Sequence, residues 1–270
     1  MEGQFDRLKN PLEQAGYLEF RGTHIYAVLH GAAEPVARVL LVGPFASERH
    51  FSYLPWVRWA RFLAARRIEA LRFDYRGVGE STGTFEDMSF GDWHEDTGFL
   101  AGWLRSRSPG TPLILHGLEL GALLAGRLFA NGVGDALLSW SAPKNANEVL
   151  RRPLSRHVFK SVYERKPLSE YARELEAGRP LEVEGHQWTS RLWRESLQFE
   201  AAPVEGDEIG AARCAGRPVK QVKLDGGPAA LLKGSAMGYV VSQNLDLSDL
   251  FTENFEWLVQ ALGLPQGRLQ

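Results

Sequence analysis

A single cysteine, Cys214, stands among 270 residues. That excludes an internal disulfide and a thiolate metal cage, and it fits a reducing compartment. Cys214 lies in a Gly/Ala-rich stretch without a neighbouring histidine, so it reads as incidental rather than nucleophilic. Neither sign of charge predominates, with 31 Lys and Arg against 33 Asp and Glu and a formal net charge of -2. No positive field is available to neutralise several phosphates, which argues against a nucleic-acid partner. Long apolar runs are lacking as well: Val39 to Val42 and Ala136 to Leu138 fall far short of the ~20 residues that a spanning helix needs. Met1 to Asn10 is too polar for a secretory signal. The expectation is a soluble, cytoplasmic protein with no membrane span. A Walker loop, a G-x-G-x-x-G after the first strand, an H-E-x-x-H helix and clustered metal ligands are all missing, so neither metal nor cofactor is expected. Internal repeats are also missing, which excludes a solenoid.

What is present is a chain with 44% apolar residues, long enough for a large core. Its pattern alternates strand and helix. Tyr17 to Phe20 and His24 to His30 read as an opening hairpin around Arg21-Gly22-Thr23, followed by a buried strand from Arg38 to Val42. Tyr53 to Arg67 repeats Trp56, Trp59, Phe62 and Leu63 at helical spacing, and Ile68 to Asp74 is strand-like. Phe90 to Arg105 is helical, Leu113 to His116 a strand, Leu118 to Phe129 a helix and Ala136 to Trp140 a strand. Parallel strands need right-handed crossovers, so this succession predicts an α/β fold: a mostly parallel sheet with helices on both faces. Between residues 144 and 202 the period becomes irregular and charge rises, predicting a helical insertion that acts as a lid. The core is then 1–143 with 203–270. Val219 to Leu224 and Gly238 to Val241 read as late strands, and Ser248 to Leu262 as a closing helix capped by Ser248.

Ligands of open parallel sheets bind beyond the carboxyl ends of the strands. Three strand ends carry distinctive residues: Gly43-Pro44-Phe45-Ala46-Ser47-Glu48, Asp74-Tyr75-Arg76-Gly77-Val78-Gly79-Glu80-Ser81, and His116-Gly117-Leu118-Glu119-Leu120-Gly121. The third has the spacing of a nucleophile elbow, whose sharp strand-to-helix turn needs Gly117 and Gly121 flanking the central residue. The second resembles the D-x-R-G-x-G-x-S turn after the fourth strand of the α/β-hydrolase fold. With an insertion after the sixth strand of that plan, the chain resembles an α/β-hydrolase over nearly its full length. Within the superfamily, Pro44-Phe45-Ala46 before an acid, the Asp74 to Ser81 turn and Gly117 to Ala125 resemble the exosortase A system-associated hydrolase, type 2, over about residues 15 to 200. That resemblance implies a hydrolase of ester or other acyl bonds, with a link to bacterial protein-sorting and exopolysaccharide loci. It also implies oxyanion donors in the region of Phe45, Ala46 and Leu120.

The departure from the superfamily is as informative as the match. Its members place Ser, Cys or Asp at the elbow, an acid after a late strand and a C-terminal histidine. Here Glu119 occupies the elbow, and the seven histidines end at His186. Glu119 has two readings: a nucleophile or general base whose charge the helix N-terminus favours, or an inherited acid that bonds to neighbouring backbone and does no chemistry. The second is favoured, because a stabilised carboxylate is a weak base without an imidazole beside it. His50, after the oxyanion loop, and His186, in the insertion, are the substitutes on offer, although each is more often a surface or packing residue. His116 reads as structural. Asp225 stands where the triad acid belongs, with no imidazole to orient, and a turn acid is the simpler account. Asp74 and Arg76 are expected to brace their turn by an ion pair or backbone hydrogen bonds. Trp188 and Trp193 are candidates for a ligand-facing wall. The sequence thus points to a hydrolase homologue with a degenerate triad, acting on a small-molecule substrate or ligand. A non-catalytic pseudo-hydrolase that holds an acyl or glycan-like ligand or a protein partner is the alternative, and homo-oligomerisation stays open.

Overall fold

The computed structural model describes residues 4–7, 12–45, 48–160, 166–205, 213–224 and 247–265. Chain order begins with β1 (Gln4–Arg7), β2 (Glu13–Phe20) and β3 (Thr23–His30), an antiparallel meander. Arg21 and Gly22 between β2 and β3 both take positive φ, 53° and 74°, the backbone that a two-residue hairpin turn requires and that glycine accepts without strain. Next come β4 (Ala37–Val42), α1 (Glu48–Ala64), β5 (Ile68–Phe73), α2 (Phe90–Ser106), β6 (Leu113–Leu118), α3 (Leu120–Ala130) and β7 (Ala136–Trp140). Helix α1 starts five residues before the predicted point. Its aromatic periodicity begins only at Trp56, while its first turn is held by the acidic Glu48 and the Ser52 hydroxyl, which donates to the Glu48 carbonyl at 2.9 Å.

After β7 the chain runs through α4 (Ala146–Lys160), α5 (Leu168–Glu176), the short hairpin β8 (Leu181–Val183) and β9 (His186–Trp188), and α6 (Ser190–Ser196). The stretch expected to be a helical insertion also carries this hairpin, with Glu184 at φ 51° and Gly185 at φ 81° in its turn. β10 (Arg213–Cys214), β11 (Arg217–Val222) and α7 (Ser248–Leu262) complete the described elements. Leu247, not Ser248, occupies the cap position of α7, and Ser248 is its first helical residue. The strand predicted at Gly238 to Val241 lies outside the described residues, as do Ala46 and Asp225.

Nine of the eleven described strands form one sheet in the order β1-β2-β3-β5-β4-β6-β7-β11-β10, and β8 pairs only with β9. β5, β4, β6, β7 and β11 are mutually parallel, and antiparallel strands flank them on both sides. The central strands are buried on both faces, so their side chains alternate between two cores. Leu40, Leu71, Leu115 and Leu137 face α2 and α3. Val39, Leu41, Ile114 and Leu138 face α1 and α7. Trp59 and Trp93, fully buried on opposite faces, anchor the two cores; truncating either to alanine should cost about 3–5 kcal/mol. Every parallel strand ends on the same side, and the site is built there. Among the described residues no helix is long and apolar enough to cross a membrane.

Candidate functional site

The apolar run of β6 delivers the chain into a tight turn at Glu119, which sits at φ 53°, ψ -111° before α3 begins. A non-glycine residue in such a conformation stores roughly 1–3 kcal/mol of strain. The surrounding backbone fixes it: the Glu119 N–H donates to the Trp140 carbonyl at 2.9 Å, and the Ala122 N–H donates to the Glu119 carbonyl at 2.9 Å. A β-carbon on Gly121 would overlap the Val42 carbonyl, and one on Gly117 would overlap the Gly121 carbonyl and the Ala122 backbone. Both glycines are thus required by close backbone approach, which is the geometry of a strand-to-helix elbow.

The Glu119 side chain is buried. Its Oε2 accepts from the Phe45 N–H at 3.3 Å, and the Leu120 N–H, next along the chain, also stabilises charge on the carboxyl. The side chain makes no capping bond to the first turn of α3. Oε1 is buried without a hydrogen-bond partner among the described residues and lies 3.5 Å from Arg152 Nη1, reaching in from α4. Burial is the main influence on this acid and Glu48 reinforces it, so that the two backbone donors and Arg152 are outweighed and the pKa rises to about 8. At neutral pH the group is mostly a protonated acid. The helix terminus therefore does not prevail in favouring the anion, contrary to the expectation drawn from its position.

Among the described residues, no histidine stands with the hydrogen-bond, ion-pair or charge partners of Glu119. His50 is exposed on α1. His186, on β9, stacks against Phe85 with ring centroids 4.4 Å apart, and burial lowers its pKa. His116 accepts from Trp59 Nε1 at 2.9 Å, packs among Trp56, Trp59 and Trp140, and is held neutral by burial.

Asp74 and Arg76 brace their turn through different partners. Asp74 pairs with Arg49 and accepts from the Glu80 N–H at 3.0 Å. Arg76 pairs with the fully buried Asp96, which also accepts from the Arg76 N–H at 3.0 Å. Trp188 and Trp193 are each 1% exposed and belong to the core beneath α5 and α6, not to a ligand wall. Trp188 packs against Phe45, and Trp193 Nε1 donates to Glu176 at 3.3 Å. The physical reason is that Trp188 and Trp193 fall where the hairpin and the short helix α6 need apolar anchors.

Beyond the strand ends lies a cavity of about 890 Å³, lined by Glu48 and Phe51 of α1, Ser141 after β7, Arg152 and Arg156 of α4, and Lys223 after β11. Glu119 stands behind Arg152, outside the lining. Ser141, at φ 50°, pins the end of β11: its N–H donates to the Val222 carbonyl at 2.7 Å and its hydroxyl accepts from the Leu224 N–H at 3.0 Å. Sequence reasoning missed Arg152 altogether. Nothing local distinguishes it from Arg151, and only the docking of α4 over the elbow selects it. Among the described residues no three His, Cys, Asp or Glu side chains converge as metal ligands.

No family model matches the sequence, and no curated protein matches it. Solved structures do. The α/β hydrolase GrgF from Penicillium sp. sh18 superposes with a TM-score of 0.59 at 14% identity, covering 93% of this chain and 99% of that one. Est1E from Butyrivibrio proteoclasticus, solved with ferulic acid bound, gives 0.56 at 16% identity, covering 92% and 99%. The mouse alpha/beta hydrolase domain-containing protein 10 gives 0.54 at 14%, covering 91% and 98%. The chain spans only 62% and 65% of two bacterial comparisons, a serine hydrolase homologue from Coxiella burnetii and XC6422 from Xanthomonas campestris. Identities at this level carry architecture alone. With the sheet order, the elbow and these superpositions together, the chain has the α/β-hydrolase fold.

Proposed function

We propose that this chain is a hydrolase-fold protein that binds a small molecule at the strand ends and does not carry out acyl transfer through the elbow. One observation carries the reading: the Phe45 N–H, a backbone donor that the hydrolase resemblance assigns to the oxyanion, is taken at 3.3 Å by the carboxyl of Glu119 itself. An oxyanion site works by offering preorganised donors to charge that develops on the substrate. Here the protein's own oxygen stands there first. A protonated carboxyl is also a poor nucleophile, and among the described residues no imidazole is within its reach to activate water. In this reading residues 144–202 form the cap, and 1–143 with 203–270 the core. The exosortase-associated subgroup and a cytoplasmic location remain part of the proposal.

A second reading has an observation of its own. A carboxyl acid with a pKa of about 8 is still protonated at neutral pH and is suited to act as a general acid. Hydrolysis of a panel of chromogenic short- and medium-chain esters by the parent and by Glu119→Gln separates the two. The binding reading expects no turnover in either protein. Turnover in the parent that disappears in the variant refutes it and establishes carboxyl-dependent catalysis.

A further inference from the structure

We infer that the cavity beyond β7 and β11 is an organic-acid site, in which Arg152, seconded by Lys223, holds the carboxylate of a small molecule with an apolar body. The inference rests on the binding reading above and deepens it by assigning a ligand class. Its basis is which charged groups on the cavity wall are already committed. Glu48 is paired with Arg156 at 2.8 Å, and Arg156 is shared with Glu184 at 2.7 Å. Glu148 Oε2 accepts from the Lys144 N–H at 3.0 Å. The cations left over are Arg152 and Lys223. Lys223 is exposed and forms no ion pair among the described residues. Among those same residues Arg152 makes no hydrogen bond, its side chain is 49% exposed, and its one ionic neighbour is Glu119 at 3.5 Å.

Glu148, exposed and paired with no cation among the described residues, leaves one negative charge against these two. The uncommitted charge on this wall is thus positive by one, and a guanidinium presents a planar fork that fits a carboxylate in two parallel hydrogen bonds. Apolar surface lies alongside. Phe51 is 37% exposed at the rim, and Pro143, Val222 and Leu224 contribute to the same wall. A cavity of about 890 Å³ has room for an aromatic or medium-chain body.

Glu119 then acts as a built-in competitor. The charged or titratable groups facing it are Glu48 from α1, Arg152 from α4 and Tyr75 after β5, with the Phe45 and Leu120 N–H groups beside it. While Glu119 is protonated, Arg152 has no anionic partner among the described residues and is free for the ligand. Once Glu119 ionises, its carboxylate takes Arg152 and repels an incoming anion. Ligand binding and deprotonation of Glu119 therefore oppose one another, and binding should weaken as pH rises through about 8.

The test is isothermal titration of the full chain with sodium benzoate and sodium octanoate, against benzamide and octanamide, with inorganic phosphate as a separate arm. At about pH 6.5 the expected result is saturable binding of at least one carboxylate and none of either amide. Arg152→Gln, a substitution at a half-exposed side chain, should weaken binding at least about tenfold without moving the thermal midpoint, and Lys223→Gln by about threefold. At about pH 9.5 the parent should lose roughly tenfold or more, whereas Glu119→Gln should bind equally at both pH values. The site is refuted if neither carboxylate binds, if amides bind as well as acids, or if Arg152→Gln leaves the affinity unchanged. Phosphate binding tighter than both carboxylates would overturn the organic-acid assignment. A pH-independent parent would overturn the competition by Glu119. Ester turnover sinks the binding reading and leaves this site standing, while loss of the site leaves the ester result untouched, so the two failures are distinguishable.

Discussion

Glu119→Gln offers a direct probe of the energetics at the elbow, because it keeps the shape of the side chain and removes one ionisation. In the folded protein the carboxyl titrates near 8, against an ordinary 4.5. A raised acid pKa means that the native state holds a proton which the unfolded chain has released. The associated stability is fully present below about pH 4.5 and is lost as pH rises through about 8. Within that window the slope is one proton, about 1.36 kcal/mol per pH unit, and the full loss is on the order of 4–5 kcal/mol. By pH 7 roughly 3 kcal/mol of it has been lost. The amide of Glu119→Gln has no proton to release, so the variant should be more stable than the parent at pH 7 by about 2–3 kcal/mol and no more stable at about pH 4.5. Urea unfolding of both proteins at several pH values from 4.5 upward reads this directly, since contributions from His30, Asp96 and other groups cancel in the difference. Parallel stability curves for parent and variant would refute the reasoning, by showing that Glu119 titrates alike in the folded and unfolded chain.

Two further substitutions test the scaffold around that acid. Gly121→Ala would drive a methyl into the Val42 carbonyl; the expected loss is about 3 kcal/mol or more, read as a large fall in urea midpoint, and an unchanged midpoint would show that the elbow is not tightly packed on β4. Asp96→Asn removes the buried partner of Arg76 and leaves a 6% exposed guanidinium without its closest counter-charge; thermal unfolding should register a loss of about 3–5 kcal/mol, and a change under about 1 kcal/mol would mean that the Asp92 carbonyl and Glu95 suffice to hold Arg76.

How far the sequence leads is best seen element by element. β7 begins and ends where its apolar run predicts, and α2 differs by one residue, because full burial imposes an unbroken apolar signature on the central strands and a stripe on the helices. The elbow is equally legible, since only glycine fits where backbone meets backbone at Gly117 and Gly121. The hairpin at Leu181 to Trp188 is not: two three-residue strands are too short to show a period of two within a charged stretch. Trp188 and Trp193 mislead for a related reason, as a tryptophan in an irregular segment looks the same whether it faces ligand or core.

By itself, then, the sequence determined the layered sheet, the sharp turn at residue 119 and the lack of any histidine after His186, all of which follow from local spacing, steric fit or simple inventory. The tertiary structure alone decided the ionisation of Glu119 and its neighbours. A carboxyl near a helix N-terminus favours the charged form when only nearby sequence is considered. Burial against Phe45, the proximity of Glu48 from α1 and the approach of Arg152 from α4 involve residues 33 to 74 positions away in the chain, and together they reverse that preference. Desolvation and Coulomb energies depend on distance in space, which no spacing along the chain encodes.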